Sequence, residues 1–135
     1  MAFPRLNGLR TIEFGTPGPM RERLNALVLE GRKRATAGLL QHDYIDQNET
    51  IEIVGEELFI LNNSAASIGK VKVTKVEVVR FEDVADDFAK AEGEGDLTGD
   101  DFRNSHREYW SSLGINVEDD MLIVTVYFTL VSEGM

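Results

Sequence analysis

Cysteine is absent from the chain. That excludes a disulfide frame, a thiolate nucleophile and any zinc–thiolate centre. Long apolar runs are absent too: none approaches membrane-spanning length, and the N-terminus lacks the apolar core of a signal peptide. A cytoplasmic protein with no membrane partner is the expectation. Basic residues are in deficit, 14 Lys and Arg against 24 Asp and Glu, for a net charge of −10 and a sequence pI near 4.6. Proteins that grip long nucleic acid usually present a basic face, often with pI above roughly 9. The deficit therefore argues against tight, non-specific RNA binding, and DNA is not expected as a partner. It argues less against a nucleoside or a single RNA base.

What is present describes one ordinary domain over residues 1–135, with 42% hydrophobic and 28% charged residues, a soluble and globular composition. Charge is unevenly placed. Residues 81–101 carry nine acids against Lys90, a local balance of −8, whereas residues 21–34 carry five bases against Glu22 and Glu30, a balance of +3.

Taken in order, residues 1–18 read as a tail ending in a short extended lead, Thr11 to Phe14. Met20, Leu24, Leu27 and Val28 recur at helical spacing and predict a helix from Pro19 to Glu30, with Pro in its first turn and Gly31 just past its end. Gln41 to Glu49 reads as a polar loop holding Tyr44. Glu49 to Val54 alternates as a strand would, Leu58 to Leu61 resumes it, and Asn62-Asn63-Ser64 signals a turn. Ile68 to Phe81 is the clearest strand. Its apolar phase flips at Thr74-Lys75, which predicts a bulge or sharp bend. Asp83 is the expected cap of a short helix presenting Val84, Phe88 and Ala91, and Thr98 with Asp101 approximates a capping box for a second. That second helix aligns Phe102, His106, Tyr109, Trp110 and Leu113. Met121 to Val131 is a nearly continuous β-branched and aromatic run, as in a central strand. Strands before and after helices, without a βαβ rhythm, predict an α+β domain: a small mixed β-barrel with peripheral helices.

The chemistry-bearing stretch is Gly31-Arg32-Lys33-Arg34-Ala35-Thr36-Ala37-Gly38. The chain leaves a helix, presents three cations, then offers a hydroxyl flanked by small residues. Three cations at a helix C-terminus can simply offset the macrodipole. A lysine three residues before a threonine can also meet it at a helix-to-strand junction and hold or remove its proton. Far along the chain stands Glu92-Gly93-Glu94-Gly95-Asp96, which as a bare charge run reads as solvated loop. Three acids within five residues could alternatively hold Mg²⁺ or Mn²⁺ through oxygen ligands.

Together Gly31-x-Lys33-x-x-Thr36, Ala89-x-x-Glu92-Gly93-Glu94-Gly95-Asp96 and Arg103-x-x-His106-x-x-Tyr109 resemble the ASCH domain family, a PUA-like β-barrel family tied to RNA; the chain looks like its longer, bacterial-type form. Some shorter members are amidohydrolases that remove the acetyl group from 4-acetylcytidine with a lysine, a threonine and a glutamate. The resemblance maps these onto Lys33, Thr36 and Glu92: Thr36 as nucleophile, Lys33 as its activator, Glu92 as the proton carrier. Arg32, Tyr44, Glu94, Arg103 and His106 are the expected substrate-binding residues, Tyr44 by stacking on a base and His106 by lining the cleft. No metal ligand and no cofactor are expected for this reaction. Mg²⁺ or Mn²⁺ enters only if the chain resembles the family's metal-dependent ribonucleases. A third reading is a module that binds RNA or a modified base without chemistry. Lys33 could act as a base only if its pKa fell from about 10.4 to about 7.5, a cost of ~4 kcal/mol; beside an ionised Glu92 it is better suited to steady an oxyanion as a cation. The chain departs from the family pattern at Phe102, where tryptophan is common, and at Tyr127-Phe128, where an arginine–phenylalanine pair is common.

Overall fold

A computed structural model describes residues 4–131; the first part of the expected N-terminal tail, residues 1–3, lies outside them. Six strands form one mixed sheet: β1 (Arg5–Leu6), β2 (Leu9–Ile12), β3 (Ala35–Leu39), β4 (Glu57–Leu61), β5 (Ser67–Arg80) and β6 (Leu122–Leu130). Their order is β1-β2-β4-β5-β6-β3. The β2–β4 pair is parallel and every other pair antiparallel. Helices α1 (Pro19–Leu29), α2 (Asp86–Ala91) and α3 (Gly99–Ser112) complete the α+β domain. Among the described residues no helix is long and apolar enough to cross a membrane.

Strand β6 is apolar in both phases because both its faces are covered. Val124, Val126 and Phe128 join Leu24 and Val28 of α1 with Leu58, Ile60, Val71 and Val73 in one core. Ile123 faces the other way, into a second core with Phe81, Val84, Phe88, Phe102 and Trp110. Strand β3 obeys the same alternation: Ala35 and Leu39 enter the second core, which turns Thr36 and Gly38 to the opposite face. The phase flip in β5 is a bulge at Thr74, where the register with β6 jumps between Val73 and Lys75. Thr98 caps α3, its hydroxyl accepting from Asp101 N at 3.1 Å.

Three expectations are corrected. The segment read as a tail holds a hairpin, β1–β2, turned by Asn7 (φ 51°) and Gly8 (φ 79°). Asn-Gly tolerates two successive positive φ values, the requirement of a tight hairpin turn. Asp83 does not cap α2: it accepts from Arg80 Nε at 2.9 Å, and Ala85 precedes the helix without a side-chain cap. Glu49 to Val54 is irregular, not a strand. Its alternation runs inside out, for Ile53 and Val54 are 70% and 66% exposed while Glu49 and Glu52 are buried. Polar partners draw the acids inward. Tyr44, on a π-helical turn (Leu40–Ile45) within the expected polar loop, donates its hydroxyl to Glu52 at 2.8 Å. Arg10 of β2 meets Glu56 bidentately at 2.9 and 2.8 Å and approaches Glu49 at 3.8 Å.

Burial holds the pKa of Glu52 above its ordinary value, against the opposing pull of the Tyr44 hydroxyl, a backbone N–H and Arg10. The folded chain thus binds this proton more tightly than the unfolded chain. That advantage is complete below the unfolded value of about 4.3 and is lost as pH rises through the folded value. Glu52→Gln keeps an acceptor for Tyr44 and removes the titration. The melting temperature of the variant should gain on that of the wild type as pH rises from about 4 to 7; a difference constant with pH would count against a titrating Glu52.

Candidate functional site

Two distant loops are pressed together beside β3. Arg34 N donates to Ala91 O at 2.7 Å, so the end of α2 lies on the segment that leaves α1. Gly93 (φ 67°) makes this approach possible: a Cβ there would fall on the carbonyl of Arg32 and 2.8 Å from Lys33 Cα. The contact brings Lys33, 2% exposed, against Glu92, 1% exposed.

Lys33 Nζ donates to Ala35 O at 2.8 Å, to Glu94 Oε2 at 2.5 Å and to Glu92 O at 3.4 Å, and stands 3.9 Å from Glu92 Oε2. An ammonium has three protons, and here they meet three oxygens. Phe14 presents its ring 5.6 Å from the same nitrogen. Arg21 of α1 secures that ring's backbone, donating to Phe14 O at 3.3 Å and Gly15 O at 3.0 Å. On the far side of Glu92, Oε1 is buried and has no aligned hydrogen-bond donor. Its neighbour is His106 Nε2 at 3.3 Å, an electrostatic contact off the hydrogen-bond line. His106 stacks on Phe102 with ring centroids 3.9 Å apart, and its Nδ1 lies 3.1 Å from Phe102 O. Burial opposes the imidazolium, but Glu92 in contact, the charge of Glu94 and the Phe102 carbonyl outweigh it, so the pKa of His106 lies above its ordinary value.

A cavity of about 450 Å³ opens beside this cluster. Its walls include Thr11 to Gly15 at the end of β2 and Thr36 to Gly38 of β3, the two sides of the sheet that no ladder joins among the described residues. Of the residues singled out in the sequence, Lys33, Thr36, Tyr44, Glu92, Glu94 and His106 line it. Thr36 Oγ makes no hydrogen bond among the described residues, so its proton is uncommitted. Tyr44 is buried edge-on to Gly38, where an added Cβ would come within 3.0 Å of its ring; it serves as wall, with its hydroxyl on Glu52. Arg32 and Arg103 are placed elsewhere. Arg32 is exposed and pairs with Glu30 at 3.3 Å. Arg103 clamps the start of α3, donating to Glu82 O, Val84 O and Asp100. Sequence reasoning missed Phe14 and Glu52 as cavity residues, since neither stands in a motif of reactive groups. Both departures from the family pattern are now located. Phe102 is buried under His106, and Tyr127 lines a separate hollow with Arg34, Asp87 and Lys90, away from the cavity.

Fold and cleft define a class: a PUA-like mixed sheet whose open seam holds a compact polar cluster. The chain belongs to the ASCH domain family, whose model matches residues 10–132. It is similar to the crystal structure of protein EF3133 from Enterococcus faecalis V583 (TM-score 0.76, 31% identity, 88% of this chain and 74% of that one). It is also similar to the ASCH domain from Lactobacillus crispatus JV V101 (TM-score 0.75, 28% identity, 89% of this chain and 77% of that one). Hypothetical protein PH0355 shares the fold at 15% identity (TM-score 0.55, 82% of this chain and 92% of that one). No curated protein matches the chain.

Gly93→Ala should cost at least ~2 kcal/mol of stability, because the new methyl meets backbone and the left-handed conformation disfavours it. Chemical denaturation measures this. A loss under ~0.5 kcal/mol, the range of an ordinary surface change, would show that the two loops do not meet as described.

Proposed function

We propose that the cavity hydrolyses the acyl group of an acylated cytosine nucleoside of the 4-acetylcytidine type. The observation that carries this reading is the convergence of Lys33 and Glu92 beside Thr36 in one cavity. Membership in the ASCH family supplies its context.

Thr36 Oγ attacks the amide carbonyl, forming a carbon–oxygen bond and an oxyanion, and Glu92 takes the hydroxyl proton. Lys33 acts here as a fixed cation that steadies the oxyanion, since its three oxygen neighbours suit an ammonium better than a free base. Collapse breaks the carbon–nitrogen bond, and the departing exocyclic amine receives the proton from Glu92. Water then attacks the acyl–Thr36 ester, giving one proton to Glu92 and through it back to Thr36. The acid leaves, and every group returns to its starting state. His106 Nε2 stands 3.3 Å from Glu92 Oε1, the oxygen opposite the one that Lys33 approaches. No metal or cofactor is needed.

A second reading has its own support: among the described residues Thr36 has no hydrogen-bonded base. A pocket that holds a modified base without reacting would look the same.

Purified protein should hydrolyse 4-acetylcytidine with no added metal, and EDTA should not lower the rate. Thr36→Ala should lower turnover at least ~100-fold, the usual scale for a nucleophile or acid–base group. Full activity in Thr36→Ala ends this mechanism, and substrate binding with no turnover selects the base-binding reading. Loss with EDTA and recovery with Mn²⁺ would favour a metal-dependent ribonuclease instead. In either of the first two cases long RNA should bind weakly and with a shallow salt dependence, because so acidic a chain neutralises few phosphates. Nanomolar, steeply salt-dependent binding of unmodified single-stranded RNA would favour a non-catalytic RNA-binding module instead.

A further inference from the structure

The acidic run of residues 92–96 does not act as one unit. Glu94 is committed to Lys33 at 2.5 Å. Glu92 and Asp96 instead face His106, and the three offer one ligand atom each, all within 4.8 Å of one another. We propose that Glu92, Asp96 and His106 bind one divalent transition-metal ion of the Zn²⁺ and Co²⁺ class at the wall of the cavity.

Three features beyond the clustering of acids support this. Glu92 Oε1 is a buried carboxylate oxygen with no hydrogen-bond donor aligned to it, and it faces the centre of the cluster. Such an oxygen is costly to bury unsatisfied, and a cation between it and its neighbours would satisfy it. The outer contacts are those of a prepared ligand set. His106 Nδ1 sits 3.1 Å from Phe102 O, which assigns its N–H to that carbonyl and leaves Nε2 to the site. Ser105 Oγ donates to Asp96 Oδ2 at 2.7 Å and so orients that carboxylate. Finally, Lys33 approaches Glu92 through Oε2, the opposite oxygen, so the ion and the ammonium need not share one lone pair. The imidazole nitrogen changes the expected ion. Oxygen ligands alone suit Mg²⁺, whereas one nitrogen and two carboxylates suit a borderline transition metal. Three protein ligands leave a coordination position open to the cavity.

The site and the proposed proton transfer need the same carboxylate, so an ion bound there inhibits the hydrolysis. That consequence rests on the acyl-transfer reading; metal binding does not, and it is tested without substrate. The full chain, stripped of metal, is titrated with ZnCl₂ by calorimetry at pH 7.5. One site with Kd below ~10 μM is expected, since the ligands are largely preplaced. Asp96→Asn and His106→Gln should each weaken it at least tenfold. His42→Gln, which removes the other histidine, should leave it unchanged. Trp110, the single tryptophan, has its ring 5.2 Å from that of His106. Co²⁺ should therefore quench its fluorescence, and Zn²⁺ should restore it. No binding up to 1 mM Zn²⁺ overturns the proposal. So does binding that survives Asp96→Asn, which sits on a half-buried loop and leaves both cores intact, or binding that is lost with His42. Strong calorimetric binding with no effect of Co²⁺ on Trp110 would place the ion elsewhere and overturn it as well.

Discussion

An ammonium buried between two carboxylates and a strand carbonyl is the constraint around which this domain is arranged. Lys33 is removed from water as fully as the core residues Phe14 and Phe128, and desolvating a charge costs several kcal/mol unless its partners are placed well. The partners come from 59 and 61 residues away. The loop after α2 must therefore reach the loop after α1, and Gly93 permits the approach. Truncating either partner would strand a buried charge, at a cost of about 3–5 kcal/mol. The cluster thus ties the second core to the sheet.

Strand β3 connects the two demands. Its odd residues fill the core beneath α2 and α3, and its even residues face the cavity. The small side chains there are an architectural requirement. Gly38 leaves space for the Tyr44 ring, and Tyr44 in turn carries its hydroxyl to Glu52. The seam between β2 and β3 remains unpaired, and the cavity occupies it. A fully closed ladder would leave no cleft for a base-sized ligand.

Charge on this protein is organised locally, not globally. The net value of −10 describes an acidic surface, yet the cavity cluster gathers Lys33 and His106 against Glu92 and Glu94. Charges of both signs therefore meet within one cavity wall, although the chain as a whole is strongly acidic.

Local rules were enough for much of the scaffold. The helical stripe of α1, the Thr98 cap, the β5 bulge and the doubly buried β6 all follow from periodicity and capping, because those interactions lie within one or two turns of chain. The resemblance of three motifs to the ASCH family brought Lys33, Thr36, Glu92, Glu94 and His106 forward as one group. The segment 49–54 shows where such rules stop. Its alternation is that of a strand, but Tyr44 and Arg10 draw the acids inward and leave Ile53 and Val54 in solvent; those partners lie elsewhere in the chain. The same holds for Arg103, a cation that resembled a ligand-binding residue until three acceptors around α3 claimed it. Residue type and spacing determined which groups were available for chemistry. Tertiary structure decided which of them are buried, paired and facing one another, because desolvation and pairing depend on neighbours that only the folded chain supplies.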